Sequence, residues 1–329
     1  MTDVLVVGGG PAGAATAWAL AAAGVDVLLL DRARFPRDKP CSEYLSPEAS
    51  RILHAMGALA AMESAGAAQL AGMRVRAPGG REIHGDFAAG HGYRGFRDRG
   101  LALRRTVLDA ILLERARAAG ARVEEGVRVA DLLRDRHGAV RGVAAMDARG
   151  GRVERSARLV VGADGLRSVV ARRLGLARAA GRPRRLALVT HYEGVAEVGE
   201  HGEMHVERDG YCGIAHVGGG VANVAVVVPA HRGREIGAGR EAFLERWIAR
   251  RAHLAPRFTR ATRVSPVHAT GPFASRARRA WAPGAALVGD AADFFDPFTG
   301  EGIYTALRGG ELLAPAAIAA LEAPSARGA

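Results

Sequence analysis

The 329-residue sequence has only two cysteines, Cys41 and Cys212, which leaves no room for a disulfide framework or a cysteine-built zinc site. A reduced, cytoplasmic setting is expected of such a chain. Lysine is nearly missing as well: among 46 basic residues, Lys39 is the only lysine. The formal net charge is +12, but the arginines are spread along the chain, with one denser cluster from Arg172 to Arg185. Together with the abundant Ala and Gly, this is the composition of a GC-rich coding sequence. A nucleic-acid binder concentrates its charge on one face, so no nucleic-acid partner is expected. Long uninterrupted apolar runs are lacking too. Val4 to Leu30 carries a single charge, Asp26, yet Gly8-Gly9-Gly10-Pro11 breaks it after a short β-rich run. The later run LLAPAAIAAL is too short to span a bilayer and contains Pro315. The chain therefore reads as soluble, without signal or transmembrane segment, and only weak peripheral contact with a membrane stays open.

Metal and hydrolytic patterns are missing in the same way. In His201-Gly-Glu-Met-His205 the acid is misplaced for H-E-x-x-H, and the alternation around it reads as a strand. No metal site is expected. No Ser-His-Asp or paired-carboxylate arrangement emerges from spacing.

What is present is an α/β pattern. VLVV (Val4 to Val7) reads as a buried strand, AGAATAWALAAAG as a helix ending at Gly24, and VDVLLLD as a second buried strand. An amphipathic helix follows at TVLDAILLERARAAG, then strands at ARVEEGVRV, GAVRGVAAM and SARLVVGADG. GAALVGD repeats the last of these designs and leads into a closing helix. Two intervening stretches, 68–99 and 186–273, carry short alternating segments and read as an antiparallel β-rich domain. The remaining segments, 1–67, 100–185 and 274–329, are expected to form one discontinuous cofactor domain.

Gly8-x-Gly10-x-x-Gly13 follows a strand and opens a helix, and Asp31 ends the next strand. This is the dinucleotide fingerprint in its required context. Gly8 permits the tight turn, Gly10 lets backbone approach a pyrophosphate, and Gly13 lets helix and strand pack closely. Asp31 is placed to accept a hydrogen bond from the adenine ribose. Near the end, GDAADFFDPFTGEGIYTAL (Gly289 to Leu307) opens a helix through Gly300-Glu-Gly302. Unpaired N–H groups and the positive dipole end of a helix start favour an electron-rich group.

With GADGLRS (Gly162 to Ser168) and Gly289-Asp290, the fingerprint makes the chain resemble the flavoprotein monooxygenases of the p-hydroxybenzoate hydroxylase type and the related geranylgeranyl reductases. The resemblance covers essentially the whole chain. It implies a Rossmann-like FAD-binding domain interrupted by an antiparallel β-rich substrate domain, the p-hydroxybenzoate hydroxylase-like fold. It implies FAD as cofactor, with NAD(P)H as a transient reductant, and a site built from Gly8, Gly10, Pro11, Ala12, Gly13, Asp31, Arg32 and Ser42. Asp290 is implied to hold the ribityl chain, and Pro297, Gly300, Gly302 and Ile303 to line the flavin ring. Arg105 matches an arginine near the FAD phosphates, Val129 a backbone contact to adenine, and Asp164 an acid linking the pyrophosphate to the nicotinamide route.

FPRDKPCSEYLSP (Phe35 to Pro47) most resembles the reductase branch, where a glycine commonly follows the cysteine; here it is Ser42. Cys41 is either a contact to flavin or substrate or an inert thiol, and a Cys41–Cys212 redox pair is a remote option. Tyr211 and Pro229 remain of a reductase motif whose tryptophan is missing, and the tryptophan-rich motif of flavin halogenases is missing too. Cys41 and Tyr211 are thus the candidates for lining a substrate pocket. The activity expected first is NAD(P)H-dependent hydroxylation of an aromatic or polyketide-like molecule. The alternative is reduction of carbon–carbon double bonds in an isoprenoid or lipid, and a non-catalytic flavin-binding or basic adaptor protein is more remote.

Overall fold

In the computed structural model, residues 1–88, 90, 94–179 and 184–323 are described. Part of the arginine cluster and the last six positions of the expected cofactor domain lie outside them. The first strand, Thr2–Val7, pairs in parallel with Val27–Asp31 on one side and with Arg152–Gly162 on the other. Arg122–Glu125 and Ala285–Leu287 extend this sheet in parallel at its two ends. Helices Pro11–Ala22 and Gly302–Glu322 cover one face, where Val4, Val6 and Leu29 meet Ala17, Leu20, Ala314 and Ala317. On the other face Leu5, Val7 and Leu30 pack against Val129, Leu132 and Val143 of the hairpin Arg128–Arg134/Val140–Met146. A sheet covered on both faces needs apolar central strands, as VLVV and VLLL are. The fingerprint helix begins at Pro11, where a missing N–H has no helical partner to lose.

A second sheet of eight strands centres on Arg185–Glu193, Val221–Pro229, Gly210–His216 and His201–Glu207. Alternation divides its faces. Leu188, Ile214, Val224 and Val226 pack on Phe243, Leu244 and Trp247 of helix Arg240–Ala249. Ala187, Val189, Met204, Tyr211, Ala225 and Val227 face the other way, towards the first sheet.

Three details depart from the sequence reading. The β-rich sheet is not wholly antiparallel, because Gly72–Arg76 joins His201–Glu207 in parallel. The chain between them is long enough for the crossover that parallel pairing requires. Ala68–Leu70 pairs instead with Gly100–Ala102, in a small three-stranded sheet that also holds Tyr44–Leu45. ARVEEGVRV is two strands, broken at Gly126 with φ 76°, so that its halves serve different pairings. Among the described residues, no helix is long and apolar enough to cross a membrane.

Candidate cofactor and substrate site

The parallel strands aim their carboxyl ends at one edge, the place where open α/β sheets bind ligands. Gly8, Asp31 and Asp164 each follow or end such a strand, and with Gly10, Arg32 and Val129 they line a single long groove. Two of the fingerprint glycines, Gly8 and Gly13, are needed there on steric grounds. A β-carbon on Gly13 would lie 1.8 Å from the Gly8 carbonyl oxygen, and one on Gly8 would lie 2.5 Å from the Ala163 carbonyl oxygen. Gly13 therefore acts through packing and lines neither cavity.

Asp31 does more than its spacing suggested. Its carboxylate accepts from the Gly9 and Ala33 N–H groups, both at 2.7 Å, so it also braces the fingerprint loop. Asp164 accepts from the Ser168 hydroxyl at 2.5 Å and the Val169 N–H at 2.6 Å. Burial outweighs these bonds and raises its carboxyl above the usual range.

The groove opens into a second cavity, which shares Gly10, Lys39, Pro40, Ala163 and Gly165 with it. Pro11, Ala12, Cys41, Ser42, Arg105, Asp290, Pro297, Gly300, Gly302 and Ile303 form one side of this cavity, and Tyr211 stands with the apolar sheet face on the other. Thus every residue expected to hold FAD or to line the substrate pocket, except Gly13, reaches one of two connected spaces.

Local geometry explains the helix start. Gly300 has φ 72°, and a β-carbon there would lie 2.8 Å from the Tyr44 ring. At Gly302 the nearest protein atom to a β-carbon is 3.9 Å away, so that position keeps open space rather than avoiding protein. A flat, electron-rich ring fits such a cradle.

The electrostatics are concentrated at the seam. Arg105 donates to both oxygens of Asp109 at 2.6 and 2.7 Å, and Arg37 reaches the same carboxylate at 3.0 Å. Lys39, the single lysine, is partly exposed and lines the shared groove, with its ammonium 3.9 Å from Asp290. Burial, then the Arg105 charge, lowers its pKa. The sequence singled out Arg105 and Asp290 but passed over Lys39 and Arg37.

It also missed a polar group in the apolar wall. The Tyr211 hydroxyl donates to Asp296 at 2.7 Å, and Arg185 donates to the other Asp296 oxygen at 2.8 Å. Burial and the Asp296 carboxylate push the Tyr211 hydroxyl far above its ordinary value, so it keeps its proton.

Both cysteines are free. Cys41 lines the cavity, whereas Cys212 lies on the opposite face of the second sheet, fully buried, with its thiol pushed up to about 12 by desolvation. The His201–Glu207 segment is a strand as expected. Buried Glu203 accepts from Arg257 and lies 2.7 Å from His205 Nε2, while His201 bonds Asp86 elsewhere.

Comparison with known proteins agrees with this geometry. A family described as FAD binding domain matches residues 1–326. Digeranylgeranylglycerophospholipid reductase 2 of Methanopyrus kandleri is 33% identical over 328 residues, covering 97% of this chain and 78% of the relative. The myxobacterial chondrochloren halogenase CndH superposes with a TM-score of 0.90 at 26% identity, over 98% of this chain and 76% of its own. PqsL of P. aeruginosa in complex with 2-aminobenzoylacetate gives 0.76 at 25% identity, over 99% and 88%. The chain belongs to the FAD-binding domain family and is a flavin-dependent oxidoreductase of the p-hydroxybenzoate hydroxylase-like fold.

Proposed function

We propose that this oxidoreductase, reduced transiently by NAD(P)H, hydroxylates an aromatic or polyketide-like small molecule. The observation that carries this reading is the cavity wall facing Pro297 to Ile303. Ala187, Val189, Met204, Ala225, Val227 and Phe273 offer it no charge, and Asp296 behind Tyr211 is paired with Arg185. Such a wall selects an apolar body and excludes water from the reacting face.

FAD, when bound, supplies the electron transfer that side chains cannot perform. The groove residues Gly8, Gly10, Asp31, Arg32 and Val129 would hold its adenine half, and Ser42, Arg105, Asp290 and the glycine helix start its flavin half. The N–H groups of Gly302 and Ile303 would stabilise negative charge at the ring edge. The apolar wall orients the substrate against the ring. The PqsL complex, with its small aromatic ligand, supports the substrate class.

A second reading is reduction of a carbon–carbon double bond in an isoprenoid or lipid. It is favoured by the reductase relative matched over 97% of this chain, while Tyr211 places a hydroxyl, donated to Asp296, in the cavity wall. In this version the Tyr211 hydroxyl would protonate the carbon left by hydride addition.

One experiment separates the two. NAD(P)H oxidation is followed with candidate substrates, with and without oxygen, and products are weighed. Hydroxylation requires oxygen and adds one oxygen atom. Reduction proceeds without it and adds two hydrogens. A folded protein that takes up no FAD in a titration would end both readings.

A further inference from the structure

The sheet face that walls the cavity does not stay apolar to its end. Two residues beyond Val189 and Ala225 on that face stand His191 and Asn223, directly paired across the strands and both buried. They meet Glu43, which is 1% exposed and belongs to the segment that follows Cys41 and Ser42.

Glu43 is held by donors on every side. One carboxylate oxygen accepts from the Arg105 N–H at 2.8 Å. The other lies 2.7 Å from His191 Nε2 and accepts from Asn223 Nδ2 at 3.0 Å. His191 Nδ1 in turn lies 2.9 Å from the Ser265 hydroxyl. Asn223 Nδ2 also donates to the Cys41 carbonyl at 2.9 Å, and the Glu43 N–H points at the Cys41 sulfur at 3.3 Å.

The backbone makes the arrangement harder to dismiss. Glu43 has φ 61°, in the left-handed region where glycine would sit without strain. A glutamate persists there only if its surroundings over-determine it. A buried carboxylate likewise persists only if its lone pairs are satisfied, and these are.

We propose that Glu43 is a positioning residue for the flavin-dependent reaction: its carboxylate is a strut that fixes the Lys39–Ser42 segment and the start of helix Arg105–Ala118 against the substrate-facing sheet. Glu43 lines neither cavity itself. It acts through Cys41, Ser42 and Arg105, which do. The strut sets the gap between the cofactor side and the substrate wall, and this inference rests on the FAD reading given above.

The test uses the full chain with Glu43→Gln, which keeps shape and removes charge, and Asn223→Leu, which removes two bonds and keeps bulk. The first readout is labelling of Cys41 by a chromogenic disulfide, with and without FAD. Cys212 is buried and inert, so the signal reports one thiol. The second is the FAD dissociation constant, and the third is the melting temperature. Glu43→Gln should label Cys41 about fivefold faster and bind FAD several-fold more weakly, with Asn223→Leu shifted the same way by less.

Labelling rates and FAD affinities within about twofold of wild type in both variants would overturn the proposal, even if melting temperatures fall. That result would leave Glu43 as a stabilising hydrogen-bond partner only. If Glu43→Gln does not fold, Asn223→Leu decides alone. If wild type binds no FAD, the functional reading fails separately, and labelling of the ligand-free protein still decides whether the strut holds the segment.

Discussion

The two connected cavities are built on different principles. The groove beside Asp31 and Val129 carries the charged side chains of Arg32, Arg167 and Arg172 and is shaped by backbone at the ends of parallel strands. The cavity above Gly302 is mostly apolar and is shaped by side chains that alternate on a second sheet. In the groove, function depends on where backbone can go. In the cavity, it depends on which small and large side chains share a face. Among the described residues, the two share Gly10, Lys39, Pro40, Ala163 and Gly165. Damage to one half should therefore leave the other half's property largely intact.

The largest effect belongs to the groove. Gly13→Val should abolish FAD incorporation and most soluble folding, because its side chain would start 1.8 Å from the Gly8 carbonyl oxygen. Expression with visible spectroscopy checks this, and a soluble yellow variant would break the steric account.

Next is Asp31→Ala, which removes two accepted backbone bonds and the acid expected at the ribose. FAD binding should weaken by about 1–3 kcal/mol, the usual effect of losing hydrogen bonds to a charged group. Fluorescence titration measures it, and the flavin potential of the fully loaded variant should stay at the wild-type value.

Ala225→Leu tests the other half. It enlarges a residue on the cavity wall next to Val189 and Gly213, its cross-strand neighbours. KM for an apolar substrate should rise by about tenfold, roughly what one misplaced aliphatic group does in a closed pocket. The FAD dissociation constant should not move. A change confined to FAD binding would mean that this wall does not face substrate.

A smaller effect is expected from Tyr211→Phe on stability. It leaves Asp296 with Arg185 and the Phe298 N–H, so a cost of about 1–2 kcal/mol is expected from the lost bond. Denaturant unfolding measures the cost. Turnover of the same variant shows whether the hydroxyl also serves as a proton source.

Much of the groove was legible in the sequence, and the reason is physical. Gly8, Gly10, Gly13 and Asp31 lie within one βαβ unit, where a bound dinucleotide dictates residue type at short spacing. Gly300 and Gly302 were legible for the same cause, a local helix start. The cavity was not. Tyr211 and Asp296 are 85 residues apart, and Glu43 and His191 are 148 apart. Those partners are chosen by strand register, which short-range pattern does not encode. The parallel joining of Gly72–Arg76 to the second sheet was hidden in the same way.

The central claim is that the Gly300-Glu-Gly302 helix start faces the flavin edge, at the meeting of the two halves. Gly302→Val tests it most directly, since its side chain would enter open space rather than collide with protein. The midpoint potential of fully FAD-loaded variant and wild type is measured by equilibration with a reference dye. The account predicts a more negative potential in the variant, from donors pushed away from the charge that reduction places on the ring. Equal potentials in two fully loaded proteins would contradict it and place the flavin elsewhere.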